Sequence, residues 1–190
     1  MLPFQYPQAY NDVALIRLKE EDKLSFDGKI RKLCLPKETN AEPNKWFQYQ
    51  INLIGYGKTR QDSTSQLRTA TMVVMPNKNC NEQFEKGIAL YSNIRISLPK
   101  NPLIMKNQLC SGTSGFNDNA GSCAGDSGSP GVFFDYTRDA YMQVGVLHGG
   151  VTQCSSNLLP SIYTRIDEPG VLEFIKNELN NNVGKFYSCY

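Results

Sequence analysis

Cys123-Ala-Gly-Asp-Ser-Gly-Ser-Pro130 is the stretch on which the reading turns. Gly125 and Gly128 allow the backbone to bend tightly around Ser127 and bring amide N–H groups near a bound carbonyl, which is what a developing oxyanion requires. By composition alone the same residues also read as a Gly/Ser surface loop. A nucleophile elbow of the G-x-S-x-G kind is excluded, because Ser129 replaces its last glycine and Pro130-Gly-Val-Phe-Phe134 leads into a strand rather than a helix. Ser127 is therefore a candidate nucleophile on a loop that precedes a strand.

Outward from that loop, the chain is mostly short strands between Gly, Pro and Asn: Val13 to Leu18, Ile51 to Gly55, Thr69 to Met75, Gly131 to Phe134, Tyr141 to Leu147 and Ile162 to Ile166. Such spacing suggests a sandwich or barrel. A short helix of a turn or two is expected around Asn77 to Lys86. Another should follow Asp167-Glu-Pro-Gly170, with Asp167 or Glu168 as cap, Pro169 in the first helical position, and Val171, Phe174, Ile175 and Leu179 on one face. The Ser/Gly/Asn-rich stretch from Ser111 to Gly125 is expected to form loops.

The 190 residues are about one domain of ordinary size. Twenty Lys and Arg against 18 Asp and Glu give a charge of +2, which offers nucleic acid and anionic membranes nothing to bind. Hydrophobic content of 40% is globular, and no apolar run is long enough to span a bilayer. Six Cys, at 34, 80, 110, 123, 154 and 189, form an even set without metal-ligand spacing, so no metal or cofactor is expected. They fit a secreted, disulfide-bonded domain. The first ten residues lack a basic n-region and an apolar h-region, so the chain is expected to be a piece of a longer export product.

Several motifs in one order carry a resemblance. Asn11-Asp-Val-Ala-Leu-Ile-Arg-Leu18, Leu53-Ile-Gly-Tyr-Gly57, Gly125-Asp-Ser-Gly128, Gly145-Val-Leu-His-Gly-Gly150 and Pro160-Ser-Ile-Tyr-Thr-Arg165, with a helix at the end, resemble the chymotrypsin/trypsin-like serine endopeptidases. The resemblance implies an all-β fold of two barrels with a C-terminal α-helix. Here the first barrel is expected to be largely missing, residues 1–180 to be the protease domain and 181–190 a C-terminal extension. It implies Ser127 as nucleophile, Asp12 as the buried carboxylate that orients and stabilises the catalytic histidine, and Gly125 with Ser127 as oxyanion-hole amides. Asp126 would pair with the N-terminus that zymogen cleavage creates.

The family's histidine precedes its aspartate, so with Asp12 matched it is not expected within this chain. His148 as base would need the order Asp, Ser, His, which is none of the three orders met on unrelated folds. The resemblance instead places His148 where a serine hydrogen-bonds the catalytic aspartate, on the substrate strand with Gly149 and Gly150. Gly121 would lie at the base of the primary pocket, with Gly150 and Ser161 as its walls. An uncharged pocket of this kind implies preference for an apolar side chain before the scissile bond. Disulfides are implied between Cys80 and Cys110 and between Cys123 and Cys154; Cys34 matches a position that in the family often bonds the segment upstream of the cleavage site, Cys189 has no family counterpart, and a bond between these two is the default within this chain. The partners implied are protein or peptide substrates and protease inhibitors. A chain inactive alone is expected, and the rival reading is a non-catalytic homologue that binds other proteins as a cofactor.

Overall fold

The computed structural model describes residues 11–26, 28–59, 66–91, 106–113, 121–149, 154 and 160–183. Strand β1, Gln50–Gly55, alternates polar and apolar side chains, and burial follows: Ile51 and Leu53 are buried while Gln50 is exposed. β2 (Arg68–Met75) repeats the pattern with Met72 and Val74 inward. β3 is Gln108–Thr113, β4 Pro130–Asp135, β5 Ala140–Gly149 and β6 Ser161–Arg165. Every pairing among them is antiparallel. β1-β2-β3 and β4-β5-β6 are two meanders, joined by β1 against β4 on one side and β3 against β6 on the other. The ring β1-β2-β3-β6-β5-β4 thereby closes into a barrel with no free edge.

Tyr163 of β6 fills the barrel's centre. Cβ atoms added to Gly131 and Gly145 would sit 3.2 and 2.8 Å from its side chain, so two neighbouring strands make room for one ring. Around it pack Ile51, Leu53, Met72, Val74, Leu109, Val144 and Leu147.

Two helices flank the barrel. α1, Asn77–Tyr91, is longer than the expected turn or two, and Cys80 and Phe84 pack from it against Cys110 and Ile162. α2, Pro169–Val183, is capped by Glu168, whose Oε2 accepts from the N–H of Val171 at 3.1 Å. Its inward face is Val171, Leu172 and Ile175 with Leu179, whereas Phe174 is exposed.

Two expectations for elements are corrected. Val13 to Leu18 belongs to no strand: Ile16 is 90% exposed, and the segment has no ladder partner among the described residues. Ser111 to Thr113, expected as loop, belongs to β3, because small side chains suit a strand whose neighbours crowd it on both faces. No helix described is long and apolar enough to cross a membrane.

Candidate active site

The turn from Gly121 to Ser129 enters β4, and backbone hydrogen bonds set its shape. Asp126 N–H donates to Cys123 O at 3.0 Å and Ser129 N–H to Asp126 O at 2.9 Å. Gly125 and Gly128 have φ of +97° and +86°, which a residue with a Cβ adopts only under strain, and Ser127 stands exposed between them. The turn is stitched to β5: Gly128 N–H donates to Leu147 O and Leu147 N–H to Ser129 O, both at 2.8 Å. A disulfide from Cys123 to Cys154 holds its other end.

Asp126 points away from solvent beneath the serine and is 7% exposed. Its Oδ1 accepts from Gly57 N–H at 2.8 Å and its Oδ2 from Cys123 N–H at 2.9 Å. Such charge-assisted bonds stabilise a carboxylate withdrawn from water. Gly55 and Gly57 are required here by space, since Cβ atoms added to them would lie 2.1 and 2.4 Å from Asp126 Oδ1.

Asp12 lies 136 residues from His148 in sequence, yet His148 Nδ1 hydrogen-bonds Asp12 Oδ2. A carboxylate only accepts, so the imidazole carries its proton on Nδ1. Asp12, expected to be buried, has a side chain 54% exposed among the described residues, and its neighbours hold it: Asn11 Oδ1 accepts from Asn107 Nδ2 at 3.1 Å, and Val13 packs against the α2 cluster. Gly149 continues β5 opposite Ile162.

Ser161, expected as a pocket wall, belongs to a buried hydroxyl chain with Ser122, Ser111 and Tyr163. Ser161 Oγ and Ser122 Oγ are 2.8 Å apart, Ser111 Oγ donates to Tyr163 OH at 3.3 Å, and Ser161 also bonds the Tyr163 hydroxyl. Burial pushes the Tyr163 phenol up to about 12, against the lowering effect of these hydroxyls. Gly121 is half-buried beside Ser122. Ser111 and Ser122 carried no motif in the sequence, and Tyr163 lay within the Pro160–Arg165 motif without a role assigned to it. Gly150 and Cys189 lie outside the described residues. Cys80 is bonded to Cys110, and Cys34, disulfide-bonded as well, pairs as a bridge with Met142 of β5. Among the described residues no group of His, Cys, Asp and Glu gathers as a metal site.

A closed six-stranded antiparallel barrel with a C-terminal helix, carrying a glycine-flanked serine turn, defines a trypsin-like fold. The chain belongs to the trypsin family, whose model, Trypsin, matches residues 3–174. It is 27% identical over 182 residues to melanization protease 1 of Drosophila melanogaster, covering 92% of this chain and 40% of that protein. Serine protease ea of the same organism is 27% identical over 90% of this chain and 39% of its own length. Phenoloxidase-activating factor 1 of Holotrichia diomphalia is 30% identical over 83% of this chain and 37% of its own length. The chain thus spans about two fifths of the curated relatives it matches.

Proposed function

We propose that these residues are the C-terminal part of a secreted serine endopeptidase that opens peptide bonds through an acyl-enzyme at Ser127. The observation that carries this reading is the turn itself: an exposed serine between two glycines of positive φ, above a carboxylate held by two amides. In the reaction, Ser127 Oγ attacks the scissile carbonyl while a histidine takes its proton. The N–H groups of Gly125 and Ser127 stabilise the oxyanion, and the histidine then protonates the leaving amine. Water repeats the sequence on the acyl-enzyme. Asp12 orients that histidine and stabilises its charged form.

The base in this reading is a histidine of the longer protein, which the family's order places before Asp12; His148, the one histidine here, would give the order Asp, Ser, His, which the known triads do not use. Asp126, cradled by Gly57 and Cys123, is the carboxylate that receives a new N-terminus on activation. The disulfides support secretion. The floor formed by Gly121, Ser122 and Ser161 carries no charge, so cleavage should follow apolar rather than basic side chains. Profiling the complete, activated protein on a peptide library checks this, and dominant cleavage after Arg or Lys would overturn it.

The His148–Asp12 contact favours a second reading, a protein-binding homologue without catalysis, because it occupies a carboxylate oxygen that catalysis would use. A serine-directed phosphonate separates the two. Stoichiometric labelling of the complete protein that disappears in Ser127→Ala supports the peptidase; absence of labelling after activation supports the homologue.

A further inference from the structure

Among the described residues from Asn11 to Leu33, Val13 alone is not exposed, and none pairs in a ladder. Residues 11–13 are nevertheless fixed on both sides of Asp12. Asn11 Oδ1 accepts from Asn107 Nδ2 at 3.1 Å, and Val13 packs on the α2 cluster. Between these anchors Val13 N–H donates to Asn11 O at 2.8 Å, closing a three-residue turn with Asp12 at its centre. Asn11 enters that turn at φ +54°, a left-handed conformation that a residue with a Cβ adopts at a cost, smaller for asparagine than for most. Strained backbone of this kind persists where its surroundings hold it.

Asn107 supplies the hold. It directly precedes β3, is 2% exposed, and its carbonyl accepts from Arg165 N–H at 3.0 Å, so β6 sets its place. Turning Nδ2 toward Asn11 leaves its own Oδ1 buried without a hydrogen-bond partner among the described residues. An unpaired buried acceptor is uncommon in folded proteins and points to a requirement on the side chain's other end. The Asn11 amide also lies against the capped end of α2: a Cβ added to Gly170 would sit 3.4 Å from Asn11 Nδ2 and 3.2 Å from Glu168 Oε2.

We propose that Asn11 and Asn107 are positioning residues for the Asp12 carboxylate, holding the left-handed turn from which Asp12 reaches His148 and, in the complete protein, the catalytic histidine. With residue 11 pinned at the start of β3 and residue 13 on α2, the backbone of Asp12 is fixed in place, and rotation of its own side chain is the freedom left to it. The two asparagines act through Asp12 rather than on the substrate. A carboxylate displaced by about 1 Å would misorient the base, at a loss of up to about a hundredfold in rate. The inference rests on the reading of Asp12 and Ser127 as parts of a peptidase.

His148 is the single histidine, so its ring reports the contact with Asp12 without overlap. Proton NMR of the 190-residue chain should show a His148 Nδ1–H protected from exchange. Asn11→Gly, which suits the left-handed backbone and removes only the tether, should speed that exchange several-fold at an unchanged unfolding midpoint. Asn107→Ala should do the same; Asn11→Gly, at an exposed position, carries the test where Asn107→Ala fails to fold. Asn11→Asp keeps the acceptor and tolerates positive φ, so it should restore the protection. In the complete, activated protein Asn11→Gly should lower kcat by about ten- to a hundredfold with KM unchanged, and Asn11→Asp should recover it. An unprotected Nδ1–H in the unsubstituted chain, equal exchange in Asn11→Gly, or an unchanged kcat would overturn the inference. Failure of the peptidase reading shows differently: the unsubstituted complete protein then takes no Ser127-dependent phosphonate label, while the exchange rates still decide whether the asparagines hold Asp12.

Discussion

Asp126 shares its space with two glycines, and that crowding makes single substitutions there informative. In Gly57→Ala the new methyl would need the place of the Asp126 carboxylate, 2.4 Å away, and the hydrogen bond from the residue 57 N–H would be lost with it. Leaving Oδ1 of that buried carboxylate without its donor, while Cys123 N–H still serves Oδ2, is expected to cost about 1–3 kcal/mol, seen as a lower urea midpoint. Ser127→Ala, on an exposed tip, should change stability by no more than about 0.5 kcal/mol. A serine whose removal costs nothing is free to serve chemistry. Tyr163 gives a pH test. Its phenol ionises near 10 unfolded and is held up to about 12 in the barrel, so the folded state keeps a proton that the unfolded chain has released. Stability is therefore full below pH 10 and declines as pH rises from 10 to 12, by about 2–3 kcal/mol in all. Unfolding measured across this window should show the decline, and Tyr163→Phe should flatten it. The serine turn was legible in sequence because glycines mark tight bends locally. The hydroxyl chain was not, since Ser122 meets Ser161 across 39 residues and Ser111 meets Tyr163 across 52, and only strand register joins them.

At the scale of elements, the end of β6 is tied to the segment that leads into β1 by a buried ion pair. Arg165, 1% exposed, donates through Nε and Nη2 to the two oxygens of Asp167, each at 3.0 Å. Its remaining donors reach the carbonyls of Asn40, Glu42 and Lys106, while Trp46 Nε1 donates to Asp167 Oδ2 at 3.0 Å. Asp167→Ala strands a guanidinium without water, and breaking a buried pair in this way costs about 3–5 kcal/mol. The double variant Arg165→Met/Asp167→Ala should recover part of that loss. Trp46 is the single tryptophan, so its fluorescence reports both the lost acceptor and the unfolding midpoint. α2 was readable because Glu168, Pro169 and the apolar spacing act within one helix. The sequence could not choose between Asp167 and Glu168 as cap; Arg165 decides it by claiming Asp167. Val13 to Leu18 misled for the converse reason. Alternation shows that a strand could bury one face, but a ladder also needs a neighbour.

That missing neighbour governs the behaviour of the whole molecule. Between residues 15 and 33, Leu15, Ile16, Leu18, Leu24, Phe26, Ile30 and Leu33 are each 38% to 90% exposed, and this segment forms no ladder among the described residues. The barrel has closed its own edges, so it offers these side chains no place to pair. Exposed apolar side chains concentrated in one segment mark a surface meant to be covered, and in water they drive association. A cover of about the right kind is available if the longer protein packs further residues here, in keeping with relatives of which this chain spans two fifths. The 190 residues alone should therefore bind a hydrophobic dye and sediment as concentration-dependent oligomers. Replacing Ile16 and Phe26 by Ser should reduce both effects without lowering the barrel's unfolding midpoint, because neither side chain is in its core. Under the proposed function, coexpression with the histidine-bearing portion that reading requires should abolish them. If the isolated chain stays monomeric and dye-free at high concentration, the segment is covered from within, and the need for an added partner falls with it.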